Sequence, residues 1–249
     1  MTEIEIIRFE IFASGLDHPE GLAFDRENAL WAGGEAGQIY RIDSDGRHEL
    51  VAECGGFSLG LAFSPRGELF VCNSRHGVLR VAPSGKWEVF AQGMICPNDP
   101  AFDRQGNLWV SDSGKWKQNN GRVLRFLPDG ASEVMVEGIG YANGLCFGGD
   151  GTLYIAESDS RRVVRLDGSV VVEEVGRTPD GLALAPDGSL FVACYASDDL
   201  WRITPDRQLL RFAHDPDAIL LCRPTNLAFH EGYLYVANLG RTTIVRARL

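Results

Sequence analysis

Four oxygen-bearing residues, Glu20, Asn98, Asn143 and Asp180, hold the same place in copies of one short phrase. The phrase is Pro19-Glu20-Gly21-Leu22-Ala23-Phe24. Its second position recurs as Leu59, Asn98, Asn143, Asp180 and Thr225, at spacings of 39, 39, 45, 37 and 45 residues. Two carboxylates and two amide carbonyls are hard ligands, so the set suits Ca²⁺, with Mg²⁺, Mn²⁺ or Zn²⁺ as other occupants. Zn²⁺ would more usually bring histidine or cysteine. Taken singly, Asn-Gly, Asp-Gly and Pro-Asn are also turn formers. That reading leaves unexplained Glu20, a poor turn residue, and the shared register of the four. A cation held from one side keeps open positions for Lewis-acid chemistry on a carbonyl or phosphoryl oxygen. Asp180 is then a plain ligand, a general base or a nucleophile. Leu59 and Thr225 break the set and are expected to line the pocket.

Two residues before each column position stands a second ring, His18, Phe57, Cys96, Tyr141, Thr178 and Arg223. Period-two alternation turns it toward the column wherever strand geometry reaches that far back. His18 reads as a base or as an exposed structural residue, and Arg223 as a holder of an anionic substrate group. No Gly-x-Ser-x-Gly or phosphate-cradling glycine loop is present.

A period near 40 residues is the length of one four-stranded propeller blade. After each phrase come a polar turn and an apolar run such as Leu108-Trp109-Val110, then a third run such as Gln38-Ile39-Tyr40-Arg41-Ile42. The alternation in the third run predicts a strand with one buried face. A shorter, more polar fourth run predicts an outer edge. The sequence therefore predicts an all-β, six-bladed propeller of antiparallel four-stranded blades, one domain over residues 1–249. The sixth copy has three strands, and a strand over about residues 4–12 belongs to no other blade. Pairing the two would close the ring and remove an exposed edge. Two connections exceed the repeat, Asp112 to Gly121, which carries Trp116, and His214 to Arg223. Both read as binding loops or solvated excursions.

Among 249 residues the formal charge is -10, which argues against a nucleic-acid or anionic-membrane partner and leaves a small-molecule substrate. Six scattered cysteines without a Cys-x-x-Cys read as buried or edge thiols in a reducing compartment. The segment Met1 to Phe12 lacks the apolar core of a signal peptide, so a cytoplasmic location is expected.

These phrases, in this order, resemble the senescence marker protein/gluconolactonase/luciferin-regenerating-enzyme-like family of six-bladed propellers, which includes regucalcin. The resemblance covers essentially the whole chain. It implies that Glu20, Asn98, Asn143 and Asp180 hold a divalent metal and that Asp180 takes the general acid/base or nucleophile role. The implied activity is metal-dependent hydrolysis of lactones, with organophosphate hydrolysis in related branches. Sugar-lactone members carry arginine where this chain has Cys96, and the long loop offers Lys115, Trp116 and Lys117 in place of an acidic residue. With Phe57, Leu59, Cys96, Tyr141 and Trp116 near the metal, a less hydroxylated lactone or ester is expected. Two other readings stand beside it. One is a non-catalytic binding propeller with a structural calcium, and the other is a strictosidine-synthase-like propeller that needs no metal.

Overall fold

The computed structural model describes residues 8–127 and 131–249. It contains six four-stranded antiparallel sheets arranged as the blades of a propeller. Five blades are built from strands consecutive in sequence. In the sixth, Phe9–Ser14 lies against Thr243–Arg248 and takes the outer place, as the strand count predicts. The strand lies a little later than expected, and residues 4–7 of the expected span fall outside the described residues.

The apolar core is six layers between neighbouring blades rather than one central mass. The strand Leu190–Cys194 shows how this arises. Leu190, Val192 and Cys194 enter the layer shared with blade four, while Phe191 and Ala193 enter the layer shared with blade six. A strand covered on both faces reads as an unbroken apolar run, which is why the second strands do not alternate. The third strands depart from the expected single buried face. Ile39 packs toward blade two, and its neighbours Tyr40 and Ile42 pack toward blade six. With apolar surface consumed between the blades, the axis is left to polar residues.

The closing seam has its own fastening. The Arg246 guanidinium carbon stands 4.8 Å from the Phe12 ring centre and 4.6 Å from that of Tyr233, and Arg246 Nε donates to Glu10 Oε1 at 2.7 Å. A cation between two aromatic faces is worth about 1–2 kcal/mol when partly desolvated. Arg246→Ala should therefore lower the melting temperature by several degrees, at roughly 2–4 °C per kcal/mol for a chain of this size. Deleting residues 1–12, which removes most of the outer strand, should abolish cooperative unfolding in the same calorimetric scan. A deletion variant that melts like the parent would contradict closure by this strand.

Candidate metal centre at the channel mouth

The innermost strands begin at the phrase: Ser58–Phe63, Pro97–Phe102, Ala142–Phe147, Pro179–Leu184 and Pro224–His230, with the shorter Leu22–Phe24 in blade one. Asn143-Gly144 and Asp180-Gly181 thus lie inside strands and not in turns. Glycine follows the column residue for a different reason: a Cβ at Gly144 would collide with the Asp180 carbonyl, and one at Gly181 with the Thr225 carbonyl. At Gly144 and Gly181 the inner strands come so close at the axis that the third phrase position has no room for a side chain.

In five blades the pairing of the first strand with the second slips at this point. Pro97 faces Asp112 and Pro100 faces Val110, so Asn98 and Asp99 together oppose the single residue Ser111. The same two-against-one register occurs at Leu59, Asn143, Asp180 and Thr225. Such a bulge re-aims a side chain out of the ladder. In four blades the loop entering the inner strand is fixed by a side chain at the end of the second strand. Asp112 accepts from the backbone N–H of Ile95 (3.0 Å) and Cys96 (2.7 Å), and Glu157 from that of Gly140 (2.7 Å). Asn73 donates to the Gly55 carbonyl, and Asn238 accepts from Cys222 N–H. These four buried anchors were missed in the sequence, although each ends its apolar run in the same register.

Glu20, Asn98, Asn143 and Asp180 are all buried. Glu20 Oε2, Asn98 Oδ1 and Asp180 Oδ1 are buried without a hydrogen-bond partner. The Asn143 amide donates to Ser158 Oγ at 3.2 Å and lies within hydrogen-bonding reach of the Asp180 carboxylate. Burial first, then the charges of Asp180 and Asp99, push the Glu20 carboxyl well above the usual range. Asp180 is raised by burial and by Asp99, with the Asn143 bond opposing. Unpartnered oxygens of this kind, together with carboxyls that resist ionisation for want of a counter-charge, fit a site for a hard cation.

Asp99 is a third carboxylate that the sequence reading missed. It occupies the phrase position that is glycine in four other copies, and its Oδ1 fills the space where Gly60 has no Cβ. Its Oδ2 accepts from Leu145 N–H at 2.8 Å, and Asn226 is within hydrogen-bonding reach. Burial raises it to about 7 against those bonds.

The remaining candidates divide. Thr225 donates its hydroxyl to the Glu20 carbonyl at 2.9 Å, tying blade six to blade one below the mouth. Leu59 and Phe57 pack into the layer between blades two and three. The Tyr141 hydroxyl reaches the Cys96 sulfur and feels the charges of Asp180 and Glu20, which places both residues beside the column. Trp116 stands edge-to-face on Tyr141 at 5.1 Å. His18, Tyr141, Thr178 and Arg223 have positive φ, so regular alternation stops before it reaches this ring. His18 turns Nδ1 to Asp17 (2.9 Å) and Glu35 (3.5 Å), forming a partly buried cluster with two carboxylates. Arg223 lies over the Tyr195 ring, and the Thr178 carbonyl accepts from Tyr195 N–H.

Clefts also open at the opposite end of the blades. The one between blades two and three is about 250 Å³ and is floored by Phe70, Phe90, Phe102 and Phe126. It has counterparts between blades six and one, four and five, and one and two. Repetition at equivalent places marks these clefts as a product of blade stacking. Among the described residues no helix is long and apolar enough to cross a membrane.

The buried carboxyls give stability a definite pH dependence. An acid whose pKa is higher in the native than in the unfolded chain binds more protons when folded, so its ionisation subtracts from stability as pH rises. For Asp99 the loss runs from its usual 3.8 up to about 7, and Glu20 and Asp180 act in the same direction. In the presence of chelator, these groups should make the melting temperature fall as pH rises from about 4 to about 7. A flat or rising profile would contradict uncompensated burial of these groups.

No curated protein matches the sequence. A gluconolactonase from Xanthomonas campestris shares the fold, with a TM-score of 0.82, 19% identity, and 97% of this chain and 89% of that one covered. Regucalcin from Agrobacterium tumefaciens, a calcium-binding protein, gives a TM-score of 0.76 at 17% identity over 99% and 95% of the two chains. Virginiamycin B lyase from Staphylococcus aureus gives 0.71 at 15% identity over 97% and 99%. A lactonase and a lyase thus carry one architecture, and the fold alone does not choose the chemistry. The sequence itself is more selective: residues 18–239 match the SMP-30/Gluconolactonase/LRE-like region, a span that includes the whole column from Glu20 to Thr225, and the chain belongs to that family.

Proposed function

We propose that the protein is a divalent-cation-dependent hydrolase of lactones or related esters, with Glu20, Asn98, Asn143 and Asp180 holding the cation, Ca²⁺ in the first instance. The observation that carries this reading is the set of unpartnered, buried oxygens on Glu20, Asn98 and Asp180 at one mouth. Family membership supports the substrate class. Bound there, the cation would polarise the carbonyl and stabilise the negative charge that develops on its oxygen.

The chain's own groups supply the rest. Asp180 Oδ1 accepts no hydrogen bond from the chain, which leaves a carboxylate oxygen able to serve as a general base. It takes a proton from the attacking water. As the carbonyl carbon–ring oxygen bond breaks, the same proton passes to the departing alkoxide, so the open hydroxy acid forms and Asp180 is regenerated. Asn143 holds the Asp180 carboxylate in orientation through its amide, and Ser158 fixes Asn143 in turn, its own hydroxyl donating to the Pro179 carbonyl at 2.6 Å. The bond from Thr225 to the Glu20 carbonyl sets the position of the first column residue.

Asp180→Asn keeps the shape of the side chain and removes the base. Hydrolysis of a lactone panel assayed with Ca²⁺, Mg²⁺, Mn²⁺ and Zn²⁺ should fall by roughly 10²- to 10⁴-fold in that variant. Unchanged turnover would remove Asp180 from the chemistry. A parent protein that opens no lactone under any of these cations would favour a binding propeller with a structural ion.

A further inference from the structure

The floor of the mouth is carboxylate and amide, but one wall is of another chemistry. Trp116 is 45% exposed, on the connection between the second and third strands of blade three. Its ring meets Tyr141 edge-on, with centroids 5.1 Å apart and planes at 70°. Tyr141 continues the surface downward, its hydroxyl near Cys96 and within the electrostatic reach of Asp180 and Glu20. The two rings thus form a continuous aromatic strip from solvent to the edge of the carboxylate cluster.

The strip is preformed. Ser113 Oγ donates to the Ala142 carbonyl at 2.6 Å, and Lys115 N–H to Asn120 Oδ1 at 2.8 Å. Within the loop, Gln118 N–H donates to the Lys115 carbonyl at 3.1 Å, and Gly114, Lys117 and Asn119 all adopt positive φ. Tyr141 itself has φ of 63°, an uncommon backbone for an aromatic residue. It is held there by bonds from its N–H to the Ile139 carbonyl and from Ser158 N–H to its own carbonyl. His18, Thr178 and Arg223 share this backbone at the equivalent place, so the entry to the inner strand fixes where the Tyr141 ring stands. The strip carries two polar groups, the Trp116 indole N–H and the Tyr141 hydroxyl, and the rest of it is ring carbon. What it offers is flat apolar area, and an edge-to-face pair with an open indole can accept a further ring.

We infer that Trp116 and Tyr141 determine specificity by receiving a flat aromatic substituent on the lactone, so that the favoured substrates are aryl-substituted or benzo-fused lactones and not polyhydroxylated ones. The inference rests on the lactone reading given above.

Two readouts test it separately from that reading. The first is kcat/KM for a benzo-fused δ-lactone against an unsubstituted δ-lactone, in the parent, Trp116→Ala and Trp116→Phe. The parent should prefer the benzo-fused compound. Trp116→Ala should cut that preference roughly tenfold, and Trp116→Phe should restore most of it. A preference unchanged by Trp116→Ala, or a parent that favours a polyhydroxylated δ-lactone, would overturn the inference. The second is calorimetric binding of the benzo-fused δ-lactam, an analogue that resists opening. About tenfold weaker binding by Trp116→Ala supports the aromatic wall even if no lactone is ever hydrolysed. Lactam binding that is absent, or equal in parent and variant, overturns the wall even if simple lactones are turned over.

Discussion

Three carboxylates, Glu20, Asp99 and Asp180, are buried around one axis, and the groups that act on them are amides, a main-chain N–H and one another. Removing charge from water without a counter-charge is among the costliest arrangements a fold can hold. Proton uptake relieves it in the isolated chain, and a divalent cation would relieve it without neutralising the carboxylates one by one. The rest of the mouth is arranged so that this concentration of charge survives folding.

The geometry that achieves it is repetitive and local. Apolar residues are used up between blades, which leaves the axis polar. Inner strands come so close together that glycine follows the column residue in four blades, and a bulge in five blades turns the column side chain out of the ladder. The loop that delivers the column residue is tied down by the polar residue ending the second strand, such as Asp112 or Glu157. A column side chain is therefore positioned by a bulge in five blades, by an anchor in four, and by backbone contact with the next blade. The Thr225 bond to the Glu20 carbonyl carries the same logic across the seam where the ring closes.

Much of this was legible in the sequence because a repeated phrase reports a repeated environment. The six blades, the closing strand and the shared register of Glu20, Asn98, Asn143 and Asp180 follow from spacing and strand count. Asp99 was not seen, because in Pro97-Asn98-Asp99-Pro100 it looks like a second turn residue; only the close approach at Gly60 makes its place a channel position. The bulges are invisible to a period of two, which also explains why the ring containing His18 could not be oriented from alternation. Third strands such as Gln38–Ile42 read as one-faced because arginine breaks the apolar run, yet Arg41 is half-buried with its guanidinium on Glu27 while Ile39 and Tyr40 pack to opposite sides.

Whether the column binds one hard cation per chain, as proposed, is decided by equilibrium titration of the chelator-treated protein with Ca²⁺. A single site is expected in the parent, with affinity sharply reduced in both Glu20→Gln and Asn98→Ala. A titration showing no site, or one whose affinity is indifferent to both substitutions, would contradict it.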